Sequence, residues 1–424
     1  MSGDAQDSEG AASGPLPRLE HIRDFRLLWV GGLLAGLGAQ MSILALPLLV
    51  LRRTGSAVEA GMVGSVALIA LLAGMLPGGA LADVVERRRL LLLCSFGSML
   101  AAGALALSVF LGAAQLPLVL LVAAFGAVIN SVDGPAALGL LRAVIPPELF
   151  GAAASRMQAR AAAARVIGPL LGGALFALDP ALPFTGEAVC LLLSIACLAL
   201  VRTRSAPSPG GAAFSRTSLL AGFAFLWDRP YLRTVLLVFG LGMNAAFGAL
   251  MFVVVAVASH RGGSGLDGGT VVSLTAVGSL TGSLLAPRVP DRLRPGTRIS
   301  CVSWACALLA ALLPISRNPL YSGGLCALCV AVASVAGISF LTTLVTVTPD
   351  DLIGRVQSAA GLLSSLVQPL APLAGGALLT AWGDAATYRV LAVVFVVCAV
   401  VLATAPSVRG APAAVRGRRL PATG

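Results

Sequence analysis

Two ionisable residues of opposite charge stand within long apolar stretches of the chain. Asp133 lies nine residues before Arg142, and Arg165 lies in the apolar stretch that follows. An ionisable side chain in an apolar setting costs several kcal/mol unless it is paired or solvated, so these residues are candidates for function. If both stretches are helical, Asp133 and Arg165 reach similar depths and are expected to form an ion pair. Asp133 would then take up a proton or contact a cationic substrate, with Arg165 as its partner. Alternatively, the ion pair would only stabilise the N-terminal half.

Amide side chains form a second set of candidates. Gln40 and Asn244 follow two similar segments, Gly36-Leu-Gly-Ala and Gly240-Leu-Gly-Met. Two amides that face each other could hydrogen-bond a polar group of a substrate, or they could tie helices together. Glu187 stands only a few residues inside an apolar stretch and is expected to reach external water. Further candidates for lining a cavity are Asn130, Gln368, Phe247, Phe340, Met41 and Met243. The Phe and Met side chains among them commonly serve only in packing.

The sequence contains no set of residues that indicates catalysis or metal binding. It has two histidines, both outside the long apolar stretches, and it lacks lysine altogether. A phosphate-binding Gly-Lys-Ser/Thr loop is therefore absent, which argues against ATP-driven chemistry. We predict that the protein is not an enzyme and uses no metal and no cofactor.

The composition predicts a membrane protein. Hydrophobic residues make up 58% of the chain and charged residues only 11%, whereas a typical soluble domain carries roughly 25% charged residues. About 20 apolar residues span a bilayer as a helix, and the apolar stretches are too long for barrel strands. We predict twelve helical spans: Leu27–Leu51, Ala60–Ala82, Leu90–Leu111, Leu116–Leu141, Ala161–Leu178, Pro183–Val201, Thr234–Ser259, Gly268–Pro287, Ile299–Ser316, Pro319–Val347, Val356–Gly383 and Val390–Val408.

The arginines indicate how these spans are oriented. If the N-terminus is cytoplasmic, 24 arginines lie on the cytoplasmic side and five on the other side. Such an excess of positive charge is typical of cytoplasmic loops, so we predict that both termini are cytoplasmic and that the partner of the chain is a lipid bilayer, the cell membrane. The net charge of +11 is then a consequence of topology, and we predict no binding of nucleic acid.

An internal repeat divides the chain into two halves. Gly36 and Gly240 match at an offset of 204 residues, Gly61 and Gly269 at 208, and the block from Pro169 repeats from Pro372 at 203. Matching blocks in the same order predict two parallel six-helix bundles related by an axis along the membrane normal. The predicted units are a disordered tail over 1–24, bundles over 25–201 and 231–408, a linker over 202–230 and a tail over 409–424.

One loop motif resembles that of a known family. The segment Gly79-Ala-Leu-Ala-Asp83-Val-Val-Glu-Arg87-Arg88-Arg89 is similar to the signature of the major facilitator superfamily, although Val84 replaces the usual arginine. The resemblance implies an all-α membrane fold of twelve helices in two pseudo-symmetric bundles. It further implies that Asp83 and Arg87, with Arg88, form a cytoplasmic gating latch between the halves. The second half of the chain contains a degraded copy of this motif, to which Asp291 belongs.

A second motif resembles that of exporters in the same superfamily. Gly168-Pro169-Leu-Leu-Gly172-Gly173 is similar to their antiporter motif, and its small residues allow another helix to approach closely while Pro169 permits a bend. The macrolide-efflux and siderophore-exporter branch is resembled most clearly in Phe25-Arg-Leu-Leu-Trp29, Ala45-Leu-Pro-Leu-Leu49 and Ile145-Pro-Pro-Glu-Leu149, and the resemblance covers nearly the whole chain. This implies a proton-coupled exporter of an amphiphilic small molecule, although Ala124 stands where proton-coupled drug exporters often carry arginine. We also expect the protein to be a monomer. The alternatives are an importer of a small nutrient and a membrane sensor or partner that does not transport.

Overall fold

The structure is a computed structural model that describes residues 19–203, 216–260, 264–288, 295–316, 318–349 and 352–409. These residues form helices joined by short connections, and no strand occurs among them. Six long helices make up the first half of the chain: α1 Arg23–Thr54, α2 Ala57–Val84, α3 Arg87–Phe110, α4 Leu116–Val144, α5 Phe150–Leu178 and α6 Leu182–Leu200.

A two-residue turn connects α1 to α2. Gly55 follows α1 with a φ of 68°, a left-handed conformation that suits glycine because it has no Cβ. Ser56 then caps α2, because its hydroxyl accepts a hydrogen bond from the backbone N–H of Glu59 at 3.2 Å. The short turn forces α1 and α2 to run in opposite directions. We call the end of the bundle at which α1 begins the near end, and the end at which α1 stops the far end.

The second half of the chain follows the same course with more interruptions. The seventh pass contains a π-helical segment, and residues 367–369 break the eleventh pass. The elements are α7 Arg216–Trp227, α8 Pro230–Val235, the π-helical segment Leu236–Met243, α9 Asn244–His260, α10 Gly265–Leu285, α11 Pro295–Leu312, α12 Pro319–Val347, α13 Ile353–Leu366, α14 Leu370–Thr404 and α15 Pro406–Arg409.

Helix α7 occupies part of the segment that the sequence predicts as a linker. Residues 204–215 of that segment lie outside the described residues. The backbone of α7 approaches α13 closely, since a methyl group added at Gly222 would lie 2.5 Å from the carbonyl oxygen of Arg355. Leu226 is buried in the same contact. The last part of the linker is therefore a helix anchored to the C-terminal half.

The described residues contain twelve passes. Eleven segments are long and apolar enough to cross a membrane, and the last of them, Ile353–Thr404, has 52 residues. At about 1.5 Å per residue this segment is more than twice the length needed to cross a hydrocarbon core of about 30 Å. Gly383, with a φ of 71°, interrupts α14 and divides the segment into two passes. The predicted twelve-helix fold is confirmed.

The two halves meet mainly through two helix pairs. Helix α2 packs against α14, and α5 packs against α10. Among the described residues, α4, α12 and α13 pack extensively only on helices of their own half. Within the described residues the halves are therefore joined towards the far end, whereas α13, at the near end, has no extensive contact with the N-terminal half.

Candidate functional site

Four glycines at the far end bring the backbones of the two halves into contact. A methyl group added at Gly61 of α2 would lie 2.5 Å from the carbonyl oxygen of Pro372 on α14, and one added at Gly376 of α14 would likewise meet the carbonyl oxygen of Ala57. In the other pair, a methyl group at Gly269 of α10 would lie 3.2 Å from the carbonyl carbon of Pro169 on α5. Any side chain larger than hydrogen would push these helices apart. We call Gly61, Gly173, Gly269 and Gly376, with the backbones they touch, the far-end seal.

The far-end seal is formed by the internal repeat. Gly61 and Gly269 are equivalent residues, and so are the prolines that they touch, Pro372 and Pro169. Gly173 and Gly376 are also equivalent residues. Gly173 contacts the backbone of Gly265, and Gly376 contacts the backbone of Ala57. The blocks that repeat in the sequence are therefore the surfaces by which each half contacts the other.

One hydrogen bond in the far-end seal has no counterpart on the other side. Ser65 of α2 accepts a hydrogen bond at 3.2 Å from the backbone N–H of Leu373, in the first turn of α14. The equivalent of Ser65 is Ser273 of α10, which is 3% exposed and whose hydroxyl has no partner in the described structure. The cause is the break before α14, which leaves the first N–H groups of that helix without helical partners. Helix α5 is continuous through Leu170, so its N–H groups need no cap.

We expect Ser65→Ala to weaken the far-end seal and Ser273→Ala to leave it unchanged. Loss of a side-chain cap costs about 1 kcal/mol, which corresponds to a shift of about fivefold between closed and open states. The measurement is the distance distribution between spin labels placed on the far ends of the two halves. Equal responses of the two serine variants would contradict the assignment of the cap.

A cavity of about 300 Å³ lies between the halves, next to the far-end seal. Its walls are almost entirely apolar, and the side chains of Gln40 and Thr275 are its only polar ones. The Gln40 amide has no hydrogen-bond partner among the described residues, so it is available to a ligand. The remaining lining residues are Ile43, Leu44, Pro47, Leu48, Leu51, Ala60, Pro169, Gly248, Met251, Phe252, Val255, Ala256, Val272 and Pro372.

Of the residues that the sequence predicts for a cavity, Gln40 lies in its wall. Asn244 lies one turn before Gly248 on the same face of α9, directly after the π-helical segment, and is outside the lining. Phe247 and Phe340 pack against the core of the C-terminal half. The other predicted residues also lie elsewhere: Asn130 is exposed on α4, Gln368 is in the break before α14, Met41 is buried against α5, and the buried Met243 accepts a hydrogen bond from Ser303.

Most of the cavity wall was not predicted from the sequence. Leu44 and Gly248 are equivalent at an offset of 204 residues, as are Leu48 and Phe252, and all four line the cavity. Applying the offset of the first repeat block to the turns that follow Gln40 would have found them. Apolar residues on a span give no other signal, because lipid-facing and cavity-facing positions are alike in hydrophobicity.

The structure does not pair Asp133 with Arg165. The cation whose charge acts on Asp133 is Arg160, and within the described residues no arginine lies close enough to Asp133 for a direct ion pair. Arg160 also donates hydrogen bonds from Nη1 to the carbonyl oxygens of Leu28 at 3.0 Å and Trp29 at 3.4 Å. Arg160 faces α1 because it lies on the same face of α5 as Gly168 and Gly172, whereas Arg165 lies on another.

Arg165 is exposed and lies one turn before Pro169. Because residues four apart share a face of a helix, Arg165 is on the face of α5 that meets α10 further along, at Pro169 and Gly173. Pro169 lines the cavity, and Arg165 precedes it by one turn on the near-end side. Arg165 therefore stands by the near-end approach to the cavity rather than beside Asp133.

The predicted gating loop is only partly described. Gly79 and Asp83 lie in α2, but the surroundings of Gly79 and the side chain of Asp83 are outside the described part of the structure, as is all of Asp291. The Arg87 side chain lies against Gly139 of α4. Arg88 donates hydrogen bonds to the carbonyl oxygens of Leu198 at 3.1 Å and Ala199 at 2.7 Å, at the end of α6. These contacts of the two arginines stay within the N-terminal half.

The glycines of the antiporter-like motif divide between two neighbours. Gly168 and Gly172 face α1, and a methyl group at Gly172 would lie 2.8 Å from the Cα of Met41. Pro169 and Gly173 face α10 in the other half. Helix α5 is thus held closely on two sides at once.

Comparison with known proteins identifies the family. The sequence profile of the Major Facilitator Superfamily matches residues 28–372 of this chain. The chain belongs to this superfamily. Its members are transporters and not enzymes, so the protein is a multi-pass membrane transporter of the major facilitator type, as its motifs predict.

Relatives in this superfamily are efflux proteins by name. The multidrug efflux pump Tap of Mycolicibacterium fortuitum is 27% identical over 90% of this chain and 96% of its own length. The enterobactin exporter EntS of Citrobacter koseri is 24% identical over 78% of this chain and 79% of its own length.

Solved structures of the superfamily share the fold. A bacterial homologue of the human lysosomal transporter Spinster, in an inward-facing and unoccupied conformation, has a TM-score of 0.68 at 13% identity and covers 92% of this chain and 98% of its own. The D-xylose-proton symporter has a TM-score of 0.60 at 16% identity, with the same coverage of 92% and 98%. At these identities the likeness concerns the major facilitator fold alone.

Proposed function

We propose that this protein exports an amphiphilic small molecule, uncharged or weakly cationic, across the cell membrane in exchange for protons. The observation that carries the proposal is the cavity, which offers one amide, one hydroxyl and otherwise apolar contacts. A ligand with several formal charges would lose its hydration there without gaining ion pairs. A largely apolar ligand with one hydrogen-bonding group suits such a wall.

The direction of transport is inferred from charge and from relatives. The excess of arginine at the near end favours a cytoplasmic near end, so the separated ends of the halves would face the cytoplasm and the far-end seal would close the outer side. A substrate would then enter the cavity from the cell interior and leave when the far-end seal opens. The relatives named for multidrug efflux and enterobactin export support the outward direction.

Several predicted residues have roles in this cycle as part of the proposal. Asp83, Arg87 and Asp291 would close the near end when the far end opens, and Arg165 would contact substrate or water in the cleft. The motif around Pro169 would act as the hinge of α5, because its glycines hold both α1 and α10. Asp133, with Arg160 as its partner, would stabilise the N-terminal half or take part in proton coupling.

Efflux from a pump-deficient bacterial host tests the proposed function. Cells that express the protein are loaded with ethidium or with a panel of neutral hydrophobic dyes, and dye loss is followed with and without an uncoupler. We expect loss of at least one dye, and we expect the uncoupler to abolish it. Accumulation that is unaffected by the uncoupler for every dye would contradict proton-driven export.

Gln40→Leu is expected to weaken recognition of dyes that carry a hydrogen-bonding group. Loss of one hydrogen bond of about 1 kcal/mol raises the half-saturating dye concentration about fivefold, while dyes without such a group are unaffected. Gln115→Leu in the exposed far-end loop is the matched control. Equal effects on both kinds of dye would show that Gln40 is not a ligand contact.

A further inference from the structure

Glu187 is turned into the protein rather than towards external water. Its carboxylate accepts a short hydrogen bond from the hydroxyl of Ser42, in the interface between α6 and α1. A methyl group added at Gly38 would lie 3.1 Å from the Cα of Glu187, so α1 has no side chain between the two backbones at this point. Glu187 is the fifth residue after Leu182, which places it about 8 Å along α6 from the far end.

Few other groups act on this carboxyl. From α1 it meets the Ser42 hydroxyl, and on its own helix the thiol of Cys190 is its titratable neighbour. Among the described residues of α3 and α5, which also pack on α6, no charged group acts on it. A charged Glu187 in the closed structure would therefore lack a counter-ion, which is costly within a membrane.

Three consecutive residues of α1 connect Glu187 to the cavity and to the far-end seal. Gln40 lines the cavity, and Ser42 binds Glu187. Between them, Met41 packs its backbone against Gly172 of α5 and its sulfur 3.5 Å from the methyl position of Gly186 on α6. Because successive residues of a helix point about 100° apart, one turn of α1 reaches all three sites at once.

The contact with α5 leads directly to the other half. Gly172 is followed by Gly173, a member of the far-end seal that touches the first turn of α10. A movement of the Gln40 to Ser42 turn would thus change the contacts of the substrate, of the far-end seal and of Glu187 together. Coupling between sites requires such a shared element, which has two arrangements and is biased by both ligands.

We propose that Glu187 is the proton-binding group of this transporter and that its protonation controls the far-end seal through residues 40–42 of α1. A neutral Glu187 is compatible with the closed far end. A charged Glu187 favours the open far end, where water can reach it, and the proton that it binds there from the outer side allows the far end to close. That proton leaves towards the near end before the far end opens again. The proposal rests on the proposed function, since it names the site at which a driving proton would act.

The test follows the far-end distance as a function of pH in nanodiscs, without any substrate. Spin labels are attached through ketone-bearing amino acids at Gln115 and Leu320, so that all eight cysteines remain. We expect the open fraction to increase between pH 5 and pH 9 in the otherwise unchanged protein. Glu187→Gln, which cannot ionise, is expected to stay closed at every pH, and Glu148→Gln, on the exposed near-end connection, is the matched control.

Ser42→Ala provides a second variant in case Glu187→Gln does not fold. The hydroxyl holds α1 to Glu187 in the closed form, so its loss favours opening and moves the transition to lower pH. A Glu187→Gln protein that still opens with rising pH, or an unchanged transition in Ser42→Ala, would overturn the proposal. Dye efflux is measured in parallel with the far-end distance. If the far end opens with pH in a Glu187-dependent way but no dye is exported, the result would contradict the export function and not the proton site.

Discussion

Valine in place of Gly269 is expected to abolish transport while both six-helix halves remain folded. Even a methyl group at this position would lie 3.2 Å from the carbonyl carbon of Pro169 and 3.3 Å from the Cα of Gly173. The obstacles are backbone atoms of α5, which cannot rotate away as a flexible side chain would. Overpacking of this kind costs typically about 1–3 kcal/mol or more. The cost falls on the closed far end alone, so the cycle should stop with the far end open.

The effect of this substitution is measured as dye efflux and as the far-end distance in the same preparation. Gly61→Val, the equivalent change in the other half, should behave in the same way. Gly324→Val is the matched control, because Gly324 is exposed on α12 and a methyl group added there would have no atom within 4 Å outside its own helix. Normal efflux by Gly269→Val would show that the far-end seal does not need to close during transport.

Leucine in place of Arg160 is expected to destabilise the N-terminal half by about 2 kcal/mol, because it removes the charged donor to the carbonyl oxygens of Leu28 and Trp29. It also removes the cation whose charge acts on Asp133 over a distance longer than an ion pair. Thermal unfolding of the detergent-solubilised protein measures the loss. Arg165→Leu, five residues further along the same helix, should change the unfolding temperature little, because Arg165 is exposed.

A double variant separates the charge effect from the lost hydrogen bonds. Asp133→Asn removes the charge that Arg160→Leu leaves without a partner, so the double variant should be more stable than Arg160→Leu alone. Additive losses would contradict an electrostatic link between Asp133 and Arg160. A large loss in Arg165→Leu would favour the pair that the sequence predicts.

The wrong partner for Asp133 has a physical cause. Apolar stretches predict the start of the fifth span at Ala161, because Arg156 and Arg160 interrupt the stretch before it. Helix α5 in fact begins at Phe150, and Arg160 lies well inside it. An arginine can extend its apolar stem along a helix and place its guanidinium on backbone carbonyls, so charge alone does not mark the end of a span.

The internal repeat contained residues of the far-end seal before their contacts were known. It identified Gly61, Gly269, Pro169 and Pro372 as equivalent pairs, and these residues are in contact across the halves. The repeat could not show which helix each of these residues contacts. Periodicity in a sequence defines the face of a helix but not the neighbouring helix that covers this face. For the same reason Glu187 was expected in water, whereas Ser42 of another helix binds it.

The Ser65 hydrogen bond has a consequence for biosynthesis. The two residues it joins are 308 positions apart, so Ser65 is in place long before the ribosome reaches Leu373. During synthesis this contact can form only after the whole N-terminal half and the first part of the eleventh pass have been made. The asymmetry is also one of timing, because the N-terminal half takes no equivalent cap from Ser273 in the described structure. If the gene is divided within the segment that encodes residues 204–215, each half should still fold, and the two fragments should join at the far-end seal only when both are present.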